Sequence, residues 1–159
     1  MKLVTKSDWE IVTVFCSEDG YKKEKHQTGI HSELNEFLNK PIHGLWTSPK
    51  NSRISWKNFL EEELGHKPVS VQELRLKKGS KIFVLNNEED LFQLPVRYNS
   101  ILGKKVVDWD KLRELGYDAF WLTEKGVMKF HHFAPKDYLD FNPWDVETIY
   151  IFDSESVIG

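Results

Sequence analysis

Hydrophobic and polar residues alternate near the end of the chain, and this pattern predicts a β-strand that begins at Val146. One side of this strand carries Val146, Thr148, Tyr150 and Phe152, and the other carries Glu147, Ile149 and Ile151. Both rows are largely apolar, which indicates a central strand that is buried on two faces. Glu147 is the exception, because a carboxylate on a buried face is costly unless a hydrogen-bond donor pairs with it.

Two interpretations of Glu147 follow from this position. It is either a structural acid at the strand edge that faces a basic partner or solvent, or a carboxylate that takes part in chemistry. The two large aromatics Trp46 and Trp56 carry a similar pair of interpretations, since aromatic side chains pack hydrophobic cores as readily as they line pockets.

The rest of the pattern predicts short strands with short helices between them. Strands are predicted over 9–15, 69–76, 81–85, 117–122 and 127–133, and helices over 32–38, from 51 or 52 to 64, from 87 to Pro95, and over 109–115. A turn is predicted to join strands 69–76 and 81–85 as a hairpin, and another turn spans 123–126, while 17–29, 98–107 and 134–143 are predicted loops. This order favours a mixed α+β fold over a doubly wound one, in a single compact domain over 1–159 with mostly antiparallel sheets.

Composition narrows the function classes. The chain has 159 residues, six tryptophans and a formal net charge of −3, from 22 basic and 25 acidic residues. This balance argues against generic binding to a phosphate backbone, which requires a basic face. The short lysine runs are interpreted as solvated surface.

The single cysteine, Cys16, excludes an internal disulfide and a zinc ribbon. The charged first ten residues do not form a signal peptide, and no apolar run approaches the ~20 residues of a membrane span. A soluble cytosolic protein is therefore expected. The six histidines are scattered, and His131 and His132 are predicted on opposite faces of a strand, so no metal site is expected.

Three segments, taken in order, resemble the ADP-ribosyltransferase fold family of bacteria and phages. The first is GLWTSP (44–49), followed by Ser52, Ser55 and Trp56, and it looks like the block that holds the nicotinamide half of NAD. The second is LRELGYDAFWL (112–122), which is similar to the helix, Gly-Tyr-Asp and strand unit of that family. The third is the segment from Asp145 to Glu147 and the strand after it, which resembles the last strand that carries the catalytic glutamate.

The resemblance implies that NAD is a substrate and that Glu147 is catalytic. Asp145 would address the acceptor, because an acid two residues before the glutamate does so in members that modify arginine or asparagine. The residues implied to line the NAD site are Trp46, Thr47, Ser48, Ser55 and Trp56, with Trp46 stacked on the nicotinamide ring. His43 is a further candidate, as the first-block histidine in a shifted alignment. The segment 11–17, which would correspond to the family's first strand, lacks the His or Arg that the family presents there.

The sequence therefore predicts a mono-ADP-ribosyltransferase-like protein that uses NAD and a macromolecular acceptor, or that hydrolyses NAD. The alternative is a non-catalytic binding protein or inhibitor, of bacterial or phage type, on a divergent form of this fold. It would be recognised by a contiguous exposed apolar surface, whereas the enzyme requires Trp46, Trp56 and Glu147 to meet in one pocket. A third hypothesis is a pocket that binds a nucleotide or an ADP-ribosyl group without transfer.

Overall fold

The computed structural model describes residues 11–17, 39–41, 44–55, 70–77, 79–152 and 157–158, with 11–17, 70–72 and 157–158 described by their backbone alone. Its strands are β1 (Ile11–Ser17), β2 (Leu45–Pro49), β3 (Ser70–Leu76), β4 (Ile82–Leu85), β5 (Val96–Asn99), β6 (Lys104–Val107), β7 (Ala119–Leu122), β8 (Thr148–Ile151) and β9 (Val157–Ile158). Its helices are α1 (Glu88–Gln93), α2 (Trp109–Glu114) and α3 (Glu124–Phe130). The predicted α+β class is confirmed.

Seven of these strands form one sheet, in the order β4-β7-β8-β2-β1-β3-β9, and β5 and β6 form a separate hairpin. Every described pair is antiparallel except β4 with β7. The predicted last strand is confirmed as β8, which lies near the middle of the sheet. There β8 pairs Ile149 with Trp121 on one side and with Thr47 on the other.

The two faces of the sheet are covered by different kinds of residue. On one face, an aromatic cluster joins Phe83, Phe120, Tyr150 and Phe152 to residues of the three helices and to Phe141 and Trp144. On the other face, an aliphatic cluster consists of Leu45, Leu74, Leu76, Ile82, Ala119, Ile149 and Ile151. Successive residues of β8 alternate between the two clusters, which confirms the predicted two-sided burial.

The sheet curls around its aliphatic face. A flat sheet would place β3 and β4 five strand spacings apart, about 24 Å. The chain from Leu76 to Ile82 extends at most about 20 Å, and both residues belong to the aliphatic cluster. The two ends of the sheet must therefore bend towards each other.

The predicted hairpin of strands 69–76 and 81–85 is wrong, although both strands exist. β3 pairs with β1 and β9, and β4 pairs with β7. The segment that follows β3 leads to β4, which is five strands away from β3 in the order of the sheet. In this segment the Ser80 amide donates to the Lys77 carbonyl at 3.1 Å. The hairpin prediction failed because β4 pairs in parallel with β7, which lies more than thirty residues later in the chain. Such a long-range pairing leaves no local signal in the sequence.

The predicted loop 98–107 is instead the β5–β6 hairpin, with Tyr98 opposite Lys105 and Asn99 opposite Lys104. The Asn99 side-chain carbonyl accepts hydrogen bonds from the Ile101 and Leu102 amides, both at 3.0 Å. Gly103 has a φ of 65°, which closes the turn in a conformation that favours glycine.

The predicted turn 123–126 and strand 127–133 are also wrong, because this segment forms α3. Thr123 is the N-cap, and its hydroxyl accepts from the Gly126 amide at 3.0 Å. Val127 and Phe130 are three residues apart and share the buried side of the helix. The four residues from Val127 to Phe130 also fit a strand pattern, in which Val127 and Lys129 would lie on one side and Met128 and Phe130 on the other.

The predicted helices from 87 to Pro95 and over 109–115 are confirmed as α1 and α2. Asn87 caps α1 in a capping box with Asp90, and Asp108 caps α2. Residues 51–55 are turns and bends, so the helix predicted from 51 or 52 does not begin there. Its remainder, the predicted helix 32–38 and most of loop 17–29 lie outside the described residues. No helix among the described residues is long and apolar enough to cross a membrane.

Gly126 allows α3 to lie directly on β4. A Cβ atom at this position would be 2.4 Å from the Leu85 carbonyl oxygen and 2.8 Å from a Leu122 methyl. We expect Gly126→Ala to lower the free energy of unfolding by about 1–3 kcal/mol, because the clash outweighs the better helix propensity of alanine. Denaturant unfolding measures the change, with exposed Lys125→Ala on the same helix as the control. An equal or greater stability of Gly126→Ala would contradict this packing.

Candidate functional site

Glu147 lies at the end of the sheet, one residue before β8, and only 7% of it is exposed. Its Oε1 accepts a hydrogen bond from the Ser52 hydroxyl at 2.6 Å, and its Oε2 accepts one from the Trp121 indole Nε1–H at 2.9 Å. Its backbone is held as well, since the amide donates to the Ile54 carbonyl at 2.9 Å and the carbonyl accepts from the Ser48 hydroxyl at 2.7 Å.

Three separate parts of the chain build this position. β7 pairs with β8 so that Trp121 lies opposite Ile149, which places the indole on the same face as Glu147. Pro49 ends β2, and the turn that follows is closed by the Ser52 amide donating to the Pro49 carbonyl at 3.0 Å. This turn brings the Ser52 hydroxyl to the start of β8. The predicted face of Glu147, shared with Ile149 and Ile151, is confirmed.

The carboxylate of Glu147 keeps part of its hydrogen-bonding capacity. A carboxylate offers about four acceptor positions, and among the described residues the side chains of Ser52 and Trp121 use two of them. Two donors on different elements also fix the orientation of the carboxylate, which is the form of preorganisation that catalytic groups require.

More polar groups lie at the end of the sheet where Glu147 is found. Arg53 donates through Nε and Nη2 to the two carboxylate oxygens of Glu124, and this pairing raises the pKa of the guanidinium. The Thr123 hydroxyl donates to the Asn86 side-chain carbonyl at 2.6 Å. These residues come from the ends of β4 and β7, the start of α3 and the turn after β2, so the polar groups gather at one sheet end.

Trp46 lies on the opposite face of the sheet from Glu147. Its ring is 4.9 Å from the Trp144 ring and 4.8 Å from the Tyr150 ring, in the aromatic cluster. We expected Trp46 and Glu147 to line one pocket. In the described part of the structure they lie on opposite faces of the sheet. The reason is the alternation of β2, because Trp46 pairs with Tyr150 whereas the neighbouring Thr47 pairs with Ile149.

The surroundings of Trp46 are only partly polar. The Lys40 ammonium lies 5.4 Å from the centre of the Trp46 ring, and burial lowers the pKa of Lys40, an effect that the Asp145 carboxylate partly offsets. Burial also raises the pKa of the Tyr150 phenol, so this group remains neutral at physiological pH.

The other predicted NAD-site residues have different positions. Thr47 is buried, and its hydroxyl donates to the Ile149 carbonyl at 2.6 Å, while Ser48 makes the bond to the Glu147 carbonyl. Both hydroxyls thus join β2 to β8. Ser55 is half-buried and follows Ile54, whose carbonyl accepts from the Glu147 amide. His43 and Trp56 lie outside the described residues.

Asp145 is directed towards the segment after α3. Its Oδ1 lies 3.1 Å from His131 Nε2, and His131 Nδ1 lies 3.0 Å from His132 Nε2. Asn142 Nδ2 is 3.2 Å from His132 Nδ1. Because an amide nitrogen only donates, one proton arrangement satisfies all four groups, with donation from Asn142 to His132, then to His131, then to Asp145. The two histidines thus lie side by side after a helix and not on opposite faces of a strand.

Sequence reasoning did not find Trp121 as a partner of Glu147. Trp121 belongs to the predicted strand 117–122, but which residue of β8 it meets depends on the pairing register. Ser52 was noted as part of the resemblance and as a possible start of the predicted helix, not as a partner of Glu147. A buried acid needs donors, and this requirement alone could have directed the search to the donor side chains that end neighbouring strands.

No family model, curated protein or solved structure matches this chain.

The hydrogen bonds predict that two substitutions at Glu147 change the free energy of unfolding by different amounts. In Glu147→Gln, the amide oxygen can accept from Trp121, the amide nitrogen can donate to the Ser52 oxygen, and Ser52 can donate to the Ile54 carbonyl, 3.0 Å away. We expect this variant to unfold within about 1 kcal/mol of the parent protein. Glu147→Leu leaves the Trp121 N–H without an acceptor and costs about 1–3 kcal/mol.

Denaturant unfolding at neutral pH measures both variants. Asp145→Ala is the matched control, since its contact with His131 is partly exposed and exposed polar contacts contribute at most about 1 kcal/mol. If Glu147→Leu were as stable as Glu147→Gln, the carboxylate would not be held as described.

Proposed function

We propose that this protein is an NAD-dependent mono-ADP-ribosyltransferase that modifies a macromolecular acceptor, with NAD hydrolysis as its reaction in the absence of that acceptor. The observation that supports this proposal most is the Glu147 carboxylate, which is buried at a sheet end and oriented by Ser52 and Trp121. These two donors of the described part of the chain leave about half of its acceptor positions for a ligand. The resemblance of the segment around Glu147 to the last strand of that family supports the same reaction.

In this reaction the bond between the nicotinamide nitrogen and ribose C1′ breaks, and its electron pair leaves with nicotinamide. C1′ acquires oxocarbenium character, as in glycoside hydrolysis. The Glu147 carboxylate accepts a hydrogen bond from the ribose 2′-hydroxyl and stabilises the positive charge. The acceptor nucleophile, or water, then bonds to C1′ and releases its proton to solvent.

Ser52 and Trp121 act as positioning residues in this proposal. Each donates to a different oxygen of Glu147, at 2.6 and 2.9 Å, so the carboxylate plane is fixed before substrate binds. Trp121 is half-buried, and its indole ring lies beside the Glu147 carboxylate. We assign to Trp121 the stacking role on nicotinamide that the sequence suggested for Trp46.

Activity measurements on four variants test this assignment. We expect Glu147→Gln to lower NAD turnover at least about 100-fold, the low end for a positioned acid–base group. Ser52→Ala and Trp121→Phe each remove a hydrogen bond to a charged group and should lower turnover about tenfold or more. Asp145→Asn should keep nicotinamide release and lose transfer to the acceptor.

The assay follows nicotinamide release and labelled ADP-ribose on macromolecules, with a cell lysate as the source of acceptor. Glu114→Gln, an exposed acid of α2, is the control and should match the parent protein. A fully active Glu147→Gln variant would remove Glu147 from the mechanism. The absence of both label and nicotinamide release in the parent protein would rule out the enzyme.

The second candidate function is a non-catalytic binding protein. It is favoured by the position of Trp46 in the aromatic cluster, away from Glu147. It is also favoured by the exposed large hydrophobic residues of the described part of the chain, which are Phe92, Tyr98, Ile101, Leu115, Met128 and Phe133. In this case Glu147 would have a structural role only, and NAD would neither be cleaved nor raise the melting temperature.

A further inference from the structure

A row of aromatic and basic side chains crosses the small sheet that contains β5 and β6. Tyr98 of β5 lies directly opposite Lys105 of β6. On the other side of β6, Lys105 forms a parallel bridge with Tyr138. The bridge is backed by two hydrogen bonds, from the Lys105 amide to the Asp137 carbonyl at 2.5 Å and from the Leu139 amide to the Lys105 carbonyl at 2.9 Å.

Directly opposite residues in neighbouring strands place their side chains on the same face. Tyr98, Lys105 and Tyr138 therefore form a transverse row in which an amine lies between two phenol rings. The Lys105 ammonium is 5.1 Å from the centre of the Tyr138 ring. Neighbouring strands lie about 4.8 Å apart, so the two tyrosines are separated by about 10 Å.

The row is open to solvent and continues onto α1. Tyr98 is 65% exposed and Phe92 is 57% exposed. The Phe92 ring packs edge-on against Tyr138, with centroids 5.8 Å apart. We call these four residues, Phe92, Tyr138, Lys105 and Tyr98, the aromatic–basic strip. Phe92 and Tyr98 are the exposed rings of the strip, whereas Tyr138 is partly buried because it also packs against the aromatic cluster.

The charge around the strip differs from that of the whole chain. Residues 96–107 contain Arg97, Lys104 and Lys105 and no acidic residue, although the net charge of the chain is −3. Among the nearby acids, Asp137 precedes Tyr138 in the chain, and Glu88 and Glu89 belong to α1, the helix that carries Phe92. The hairpin end is thus the one that attracts an anion.

We propose that the aromatic–basic strip binds single-stranded nucleic acid. Bases stack on the exposed ring of Tyr98 and on Tyr138, while Lys105 contacts the phosphate between them. An amine between two rings on a sheet face suits a ligand in which phosphates alternate with flat bases. The hairpin tip also carries Ile101, which is 74% exposed and is a side chain that a lipid surface accepts, so binding to lipid vesicles is one of the outcomes that the test separates. This proposal does not depend on NAD chemistry at Glu147.

The test is the fluorescence anisotropy of labelled oligodeoxythymidylate and oligouridylate, each about 12 nucleotides long, a typical length for such sites. We expect binding at about 50 mM salt that weakens at about 200 mM, because phosphate contacts release counterions. Tyr98→Ala should weaken binding at least about fivefold through lost stacking, whereas Tyr98→Phe should retain it. Lys105→Gln should reduce the salt dependence, with a slope lower by about 0.7.

Met128→Ala, which removes a 77% exposed apolar side chain from α3, is the matched control and should bind like the parent protein. Thermal unfolding establishes that each variant is folded. No anisotropy change at low salt, equal binding by Tyr98→Ala, or an equal loss in Met128→Ala would each overturn the proposal. Binding to anionic phospholipid vesicles without binding to either oligonucleotide would also overturn it, in favour of a membrane surface.

Discussion

The buried carboxylate of Glu147 imposes the most demanding condition on this structure. A carboxylate removed from water must find hydrogen-bond donors, because an unpaired buried charge is strongly destabilising. Here the donors come from Trp121 at the end of β7 and from Ser52 in the turn after β2. The hydrogen bonds of this one carboxylate therefore require that β7, the turn after β2 and the start of β8 come together in the correct register.

The two faces of the sheet divide the roles of the side chains. The helices and most of the large aromatics pack on one face, where Trp109, Phe120, Phe141 and Trp144 contact one another at centroid distances of 5.0 to 6.2 Å. The other face holds smaller aliphatic residues, and Glu147 lies at its edge with Trp121. Trp46 belongs to the first face and contributes to packing, whereas the half-buried Trp121 lies beside the carboxylate.

Local signals in the sequence were sufficient for several elements. The caps Asn87 and Asp108 marked the starts of α1 and α2, and the two apolar rows of β8 indicated its central position. α3 was missed because the segment from Val127 to Phe130 fits both periodicities, and Gly126 was interpreted as a turn residue. Its actual role is to allow contact with the Leu85 carbonyl, which is a tertiary effect.

The partners of the strands could not be predicted from such local signals. β3 and β4 are close in sequence, yet each pairs with strands far along the chain, and the curl of the sheet that permits this has no local signature. The candidate site shows the same limit. The unusual position of Glu147 was visible from alternation alone, but its partners Ser52 and Trp121 depend on register, and the separation of Trp46 from Glu147 depends on the phase of β2.

The central claim, that Glu147 receives the ribose of NAD, is tested most directly by the Trp121 indole N–H. This proton lies on the hydrogen bond to Glu147 Oε2, and its NMR resonance can be assigned from its loss in Trp121→Phe. Titration with NAD should shift this resonance in a saturable manner, since a ligand bound to the carboxylate and stacked on the indole changes its environment. A Trp121 resonance that stays unchanged while NAD reaches millimolar concentration would contradict the account.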